Sequence, residues 1–303
     1  MITKTVSDTT AIACTLCGHV SERPSSDEVG SVRGNTQRFR DRQFRIWKCP
    51  ECLTLHSLDP VVMSDIYREY PPNRRRLDVF AKGTLGNLLS RLEEAGLAKD
   101  AAILDYGCGN GIFLEFLEQR GYRKVSGYDP YVADFSSLPL ADFDCVVAND
   151  VIEHVEDPRA MLSECVRRVR PGGLLYIGTA DSEPVDMHDL EPHLMRLHQP
   201  FHRIIFAEQG LHRLAGETGM DLVRSWRRSY MDTLLPFSNY RFLDEFNRAL
   251  DHNMDRAMDP DAAKVLLKRP DLLFYALFGY FFPSACEPAV LLRKCASDRG
   301  LTR

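Results

Sequence analysis

Residues 101–114, AAILDYGCGNGIFL, constrain the fold of this chain more than any other stretch. A short apolar run, Ala101 to Asp105, meets three glycines at alternate positions, Gly107, Gly109 and Gly111, and a new apolar run starts at Phe113. That order predicts a buried strand, a tight turn and a helix. Glycine lacks a Cβ, so the turn lets a ligand approach the backbone, and the helix start adds unpaired N–H groups and the positive end of a dipole. A strand feeding a helix through such a turn is the unit of an α/β fold.

The spacing separates two kinds of nucleotide-type ligand. A dinucleotide turn, G-x-G-x-x-G, counted from Gly107 needs glycine at 112, where Ile112 stands. The pattern here is D-x-G-x-G-x-G, with Asp105 two residues ahead of the turn, and a carboxylate there suits an ammonium or sulfonium group. The stretch resembles motif I of class I S-adenosylmethionine-dependent methyltransferases. Three more segments extend the resemblance. KVSGYDP predicts the second strand and ends in Asp129, placed to accept two ribose hydroxyls. FDCVVANDVIEHVEDP resembles the family's fourth strand, with Asn149 at its end toward the methionine part of the cofactor. RRVRPGGLLYIGTA resembles the lead into the fifth strand, Leu174 to Thr179.

The resemblance implies a doubly wound, Rossmann-like sheet of seven strands, α/β in class, over residues 101–303. It implies S-adenosyl-L-methionine as cofactor, held by Asp105, Tyr106, Gly107, Cys108, Gly109, Asp129, Pro130 and Asn149. Only YVADFSSLPLA stands between Asp129 and the fourth strand, so the third strand is expected to be short or missing. Asp134 is the candidate there for the adenine amino group. His154, beside Glu153, is either a base or half of an oriented structural pair.

Upstream, Cys14-x-x-Cys17 and Cys49-x-x-Cys52 lie in the knuckle-like strings CTLCGH and CPECLT. Two such turns complete a tetrahedral all-sulfur shell, which favours zinc. With every position filled by protein, the ion is structural and needed for a module at 1–58 to fold. Between the pairs, Arg33, Arg38, Arg40, Arg42, Arg45 and Lys48 alternate with Phe39, Phe44 and Trp47. Two readings stand: a nucleic-acid contact, or a hairpin with a solvated basic face and packed aromatics. Residues 59–100 predict a helical linker that breaks at Pro71-Pro72; the resemblance implies a segment that lids the cofactor, through Tyr67, Tyr70 or an arginine of 74–76, and ordinary packing is the alternative role for each of these residues.

Downstream, the 181–206 loop carries His188, His193, His198 and His202. Pro192 and Pro200 break any helix that would gather all four on one face. PFHRIIF resembles the family's entry to its next helix, which makes His202 the first candidate for substrate contact or base and His198 the second. The sixth strand is expected near Leu222 to Trp226 and the closing antiparallel strand at 288–294. Between them, residues 231–285 predict an inserted helical block that caps a substrate pocket, forms a homodimer face or thickens the core.

A net charge of −5 gives no overall pull toward nucleic acid. The longest apolar run, 272–282, is too short to span a bilayer. The first thirteen residues show no apolar signal core, and nine cysteines without one point to a reducing, cytoplasmic setting. The expected function is methyl transfer to a small-molecule acceptor, as in bacterial methyltransferases with N-terminal zinc segments. The alternatives are an RNA methyltransferase that grips nucleic acid with its zinc module, and a non-catalytic binding protein on the same fold.

Overall fold

Short strands held by the cysteine turns open the computed structural model, which describes residues 11–283 and 287–296. Strands β1 (Ile12–Ala13) and β2 (Val20–Ser21) pair around the first cysteine turn. Strands β3 (Val29–Arg33), β4 (Gln43–Lys48) and β5 (Leu55–Ser57) form an antiparallel meander around the second. In β4 the buried Phe44 and Ile46 alternate with exposed Gln43 and Arg45, the period of a half-buried strand. Helix α1 (Met63–Ile66) and two 3-10 turns, Tyr67–Glu69 and Pro71–Arg74, lead to α2 (Val79–Glu94). Asp78 caps α2 by accepting from the Ala81 N–H at 2.8 Å.

Strand β6 (Ala102–Tyr106), α3 (Ile112–Gln119), β7 (Lys124–Tyr128), β8 (Phe143–Asn149), α4 (Pro158–Arg168) and β9 (Val169–Gly178) follow. Then come α5 (Leu194–Leu197), β10 (Ile204–Ile205), α6 (Glu208–Glu217) and β11 (Asp221–Trp226). The insert holds α7 (Tyr240–Ala249), α8 (Met254–Ala257), α9 (Val265–Lys268) and α10 (Asp271–Phe278), and β12 (Ala289–Arg293) closes the fold.

The large sheet runs β11-β12-β9-β8-β6-β7. Its four central and edge strands β7, β6, β8 and β9 are parallel, and β12 lies antiparallel between β9 and β11. Among the described residues it has six strands rather than seven. Residues 129–142 hold only a 3-10 turn, Ala133–Phe135. A parallel crossover takes a dozen or more residues, so that stretch can return the chain to the sheet but cannot also add a strand. The two expected long helices of the insert are each split. Asp251 and His252 adopt positive φ after α7, and Pro270 separates α9 from α10. Residues 284 and 285 of the expected insert lie outside the described residues.

One face of the sheet packs on α2 and α3 through Leu88, Leu92, Phe116 and Ile103. The other packs on α4, α6 and the N-terminal module, so Leu16, Trp47 and Cys49 share a core with Leu104, Val146 and Phe206. Strand β10 joins the two parts: Ile204 and Ile205 pair antiparallel with His56 and Leu55, making the N-terminal meander a four-stranded sheet. No helix among the described residues is long and apolar enough to cross a membrane.

Candidate functional site

The carboxyl ends of β6, β7 and β8 open into one cavity of about 1850 Å³. Open α/β sheets bind ligands at that edge. Asp105, next to last in β6, lines the cavity, and the chain then turns through Gly107, Gly109 and Gly111, with φ of 80°, 52° and 82°. A Cβ at Gly107 would collide with Val151, so glycine is required there twice over, by backbone and by space. The Tyr128 carbonyl fixes the turn by accepting from the N–H groups of Gly107 (2.6 Å) and Cys108 (3.1 Å). Asp129 accepts from the Gly109 N–H at 3.1 Å and from the Tyr131 N–H at 2.9 Å, which aims the carboxylate across the turn.

Asp105 is 7% exposed. Burial, and after it the Asp129 carboxylate, push its acid up to about 7. A buried acid raised in this way is relieved by a cationic group, and the open glycine turn beside it leaves space for one. The residues present therefore fit a ligand with an ammonium or sulfonium group beside a ribose. Tyr106, Cys108, Pro130 and Asn149 line the same wall, so all eight residues selected from the sequence meet in one place. Asp134 does not; it is exposed and stands off the cavity wall. The linker docks on the turn: Asn110 donates to the carbonyls of Asn73 (3.1 Å) and Arg75 (2.6 Å), and Tyr67 stacks on Tyr131 at 4.4 Å.

The opposite wall is a histidine cluster. His154 and His202 have ring centroids 4.6 Å apart, and His198 and His202 5.1 Å. Burial first, then the neighbouring imidazoles, hold His154 and His198 well below the usual range. Burial pushes His202 down to about 4. All three are neutral near pH 7. His188 and His193 stay out of the cavity; His188 is exposed, and the His193 ring accepts from the Asp186 N–H at 3.2 Å. Glu153, buried and bonded by the Thr179 hydroxyl at 2.8 Å, has its acid raised to about 7 by burial. Asp150 holds φ 55° at the end of β8, a strained backbone of the kind found at ligand sites. Nothing in the sequence marked Asp150 or the distant Glu287, which also lines the cavity. The insert closes the mouth with Phe242, Phe246, Met254 and Met258.

Two groups could hold a metal. Cys14, Cys17, Cys49 and Cys52 bring four sulfurs within 4.8 Å of one another. Cys14–Cys52 is 3.5 Å and Cys17–Cys49 is 3.6 Å, close to the roughly 3.8 Å between sulfurs of a tetrahedral zinc shell. The two turns are built alike: Gly18 and Leu53, each just after the second cysteine, adopt φ of 80° and 60°. His56 lies 3.3 Å from the Cys14 sulfur. The second group is Glu153, His154 and His202.

The basic hairpin is neutralised within the chain. Arg33 pairs with Glu191 (2.6 Å) and Asp251 (3.0 Å), Arg38 with Asp65, Arg40 with Asp251 and Arg45 with Asp59. Lys48 donates to the Val185 carbonyl at 2.8 Å, and Arg42 lies over the Phe44 ring. Phe39, Phe44 and Trp47 are buried. The arrangement is a docking face for the rest of the chain, with no aromatic left to stack on a base.

Residues 77–225 match the family model described as a methyltransferase domain, a span that includes β6 to β10 and all eight cofactor candidates. The ubiquinone biosynthesis O-methyltransferase of Pseudomonas paraeruginosa is 32% identical over an alignment of 116 residues, 30% of this chain and 49% of the relative. The enzyme of the same name from Parvibaculum lavamentivorans is 33% identical over 103, covering 27% and 41%. The chain spans about half the length of the curated relatives it matches. Among solved structures, the Burkholderia thailandensis 1,6-didemethyltoxoflavin-N1-methyltransferase is 16% identical and covers 84% of this chain and 97% of its own, with a TM-score of 0.46.

Proposed function

We propose that the protein is an S-adenosylmethionine-dependent methyltransferase acting on a small-molecule acceptor. The observation that carries this reading is the pairing of Asp105 and Asp129 across an open glycine turn, on the wall of a cavity large enough for a cofactor and a second molecule. When bound, the cofactor supplies an already activated methyl group, so the protein's work is orientation and exclusion of water. Asp129 would take the ribose hydroxyls, Asp105 and Asn149 the methionine end, and the 59–100 linker would lid the turn. His202 and His154 stand on the acceptor side of the same cavity. The curated relatives' printed name brings O-methylation forward among the acceptor types.

The N-terminal module, 1–58, is in this reading a zinc-bound structural part packed on the core of the large sheet, and the paired arginines favour that over nucleic-acid binding. The insert's outward face leaves Leu277, Phe278 and Phe281 exposed, which supports a homodimer through 231–285. Native mass spectrometry is expected to show one zinc per chain and a dimer; a zinc-free monomer removes both assignments.

Titration calorimetry with S-adenosylhomocysteine tests the cofactor assignment. Asp105 is raised to about 7 in the free protein, so below that pH the ligand's ammonium must displace a proton. Affinity is expected to rise by up to tenfold per pH unit toward 7 and then level off. Asp105→Asn should bind weakly and without that slope. The same shift makes the free protein lose stability from Asp105 as pH rises from about 4, the unfolded value, to about 7. Absence of binding by folded, zinc-loaded protein would leave the non-catalytic reading.

A further inference from the structure

The helical insert turns back on the cysteine-flanked hairpin just after α7. Asp251 and His252 adopt φ of 61° and 50° there, and the chain then runs through α8 and a 3-10 turn, Ala262–Lys264, along the cavity mouth. Met254, Ala257, Met258, Pro260 and Ala263 line the cavity. Yet no residue from Met254 to Lys264 is buried. A segment without a buried side chain is held by its polar contacts, and it opens at far less cost than unfolding the whole domain. Its far end is fixed: Val265 and Leu266 pack with Phe242 and Leu272 of α7 and α10.

The polar contacts gather at the near end, on the turn between β3 and β4. The Met254 N–H donates to the Asn35 carbonyl at 2.8 Å, and the Asn253 side chain donates to Gln37 Oε1 at 3.2 Å. Asp255 accepts from the Gln37 N–H with one oxygen and from Arg74 with the other, both at 2.7 Å. Asp251 pairs with Arg33 and Arg40 at 3.0 and 3.1 Å. Asn35 is a firm anchor: it is fully buried, and its side-chain oxygen accepts from the His198 ring at 2.7 Å. From Arg256 to Lys264, no side chain among the described residues bonds outside the segment; Lys264 pairs with Asp261. The junction is also loosely filled. A second hollow of about 340 Å³ lies against it, lined by Thr36, Gln37, Phe39 and Asp255. Dispersion contacts are forfeited across such a gap, so polar groups hold the two surfaces together. Ion pairs as exposed as Asp251–Arg40 are weak, and salt screens them.

We propose that residues 252–264 form a lid over the cavity, and that Asp255 is its latch, fastening the lid both to the hairpin turn and to the linker that covers the glycine turn. The second attachment runs through Arg74. Its chain neighbours Asn73 and Arg75 give their carbonyls to Asn110 of the glycine turn. A ligand on that turn seats the linker, the linker presents Arg74 to Asp255, and the lid shuts. This coupling to the cofactor turn rests on the methyl-transfer reading above. A shut lid keeps water from the cavity during transfer, and it reopens for the acceptor to enter and the product to leave. The left-handed pair Asp251 and His252 is the hinge. The hairpin's arginines thereby gain a task within the chain, which is to hold the lid down.

Hydrogen exchange read by mass spectrometry on the full chain tests this. The amides of 254–258 are expected to exchange more slowly than in a free peptide and well ahead of those of β8 and β9. Asp255→Ala should speed them about tenfold, with β8 and β9 unchanged. Sodium chloride at about 0.5 M should speed the same amides in wild type, an arm that needs no variant to fold. Saturating S-adenosylhomocysteine should slow them in wild type and much less in Asp255→Ala. By reciprocity the variant should release that ligand faster, by about tenfold. Amides of 254–258 that exchange together with those of β8 and β9, or that ignore both Asp255 and salt, overturn the lid. S-adenosylhomocysteine that binds and leaves those amides unchanged overturns the coupling to the glycine turn. Failure to bind it at all is instead the failure of the methyl-transfer reading, and the variant and salt arms still read the lid.

Discussion

Replacing Cys49 by serine is expected to unfold far more than the turn that carries it. Cys49 is fully buried and Cys14 nearly so, and both pack in one core with Leu104, Val146 and Phe206 of the large sheet. Trp47, two residues away, is fully buried and donates its indole N–H to Glu28 at 3.1 Å. Arg159 of α4 donates to the carbonyls of Thr15 and Leu16 at 2.6 and 3.0 Å, so the first cysteine turn is tied to the same body. Structural zinc sites contribute about 10–16 kcal/mol of folding free energy. A whole domain is stable by only about 5–15 kcal/mol. The variant should therefore show no cooperative melt and no bound zinc, by calorimetry and elemental analysis. A cooperative melt within a few degrees of wild type would mean that the four sulfurs hold no ion.

Gly107→Ala should strike the cofactor turn with the next largest effect. Its φ of 80° costs an alanine about 1–2 kcal/mol. The new methyl group also meets Val151, and overpacking of that kind costs about 1–3 kcal/mol. The turn must shift, and the N–H groups of Gly107 and Cys108 lose their common partner, the Tyr128 carbonyl. We expect a stability loss of about 2–5 kcal/mol in urea, the sum of those two effects. We expect S-adenosylhomocysteine affinity to fall by about 100-fold or more, as binding energy converts at roughly tenfold per 1.4 kcal/mol. Gly109→Ala is the control: its methyl group would meet only the Asn73 side chain at 3.4 Å, so the strain alone remains. Unchanged affinity in Gly107→Ala would take the turn out of the cofactor site.

The sequence made the strand–turn–helix at 101–114 legible because glycine spacing and an apolar run are local signals. The same holds for Asn149, which ends β8, and for Asp129, which directly follows β7, since short local runs mark both strands. The cysteine pairs were legible for the same reason. Their integration into the main core was not, because nothing local in QFRIWK says that Trp47 will face the other domain's helices. The missing strand could be anticipated from the short segment 130–142, but the six-stranded order had to be seen. Among the histidines, proline placement correctly argued against one helical face. It could not show that His154, His198 and His202 converge while His188 and His193 stay outside. Asn35 escaped entirely: an asparagine in a loop carries no signal until its partner, far along the chain, is known. The alternating arginines read two ways because pairing with Glu191, Asp251, Asp59 and Asp65 is a tertiary fact.

Strand β10 has a consequence for how the chain is made. The edge of β5 is completed by Ile204 and Ile205, which a ribosome adds long after residue 57. At about 5–20 residues per second the hairpin waits about 7–30 s with an unpaired strand edge exposed. Thiolate turns that capture a metal early would hold that edge in register through the interval. Synthesis in metal-starved cells should then fail during elongation, before the loop that carries His198 has been made.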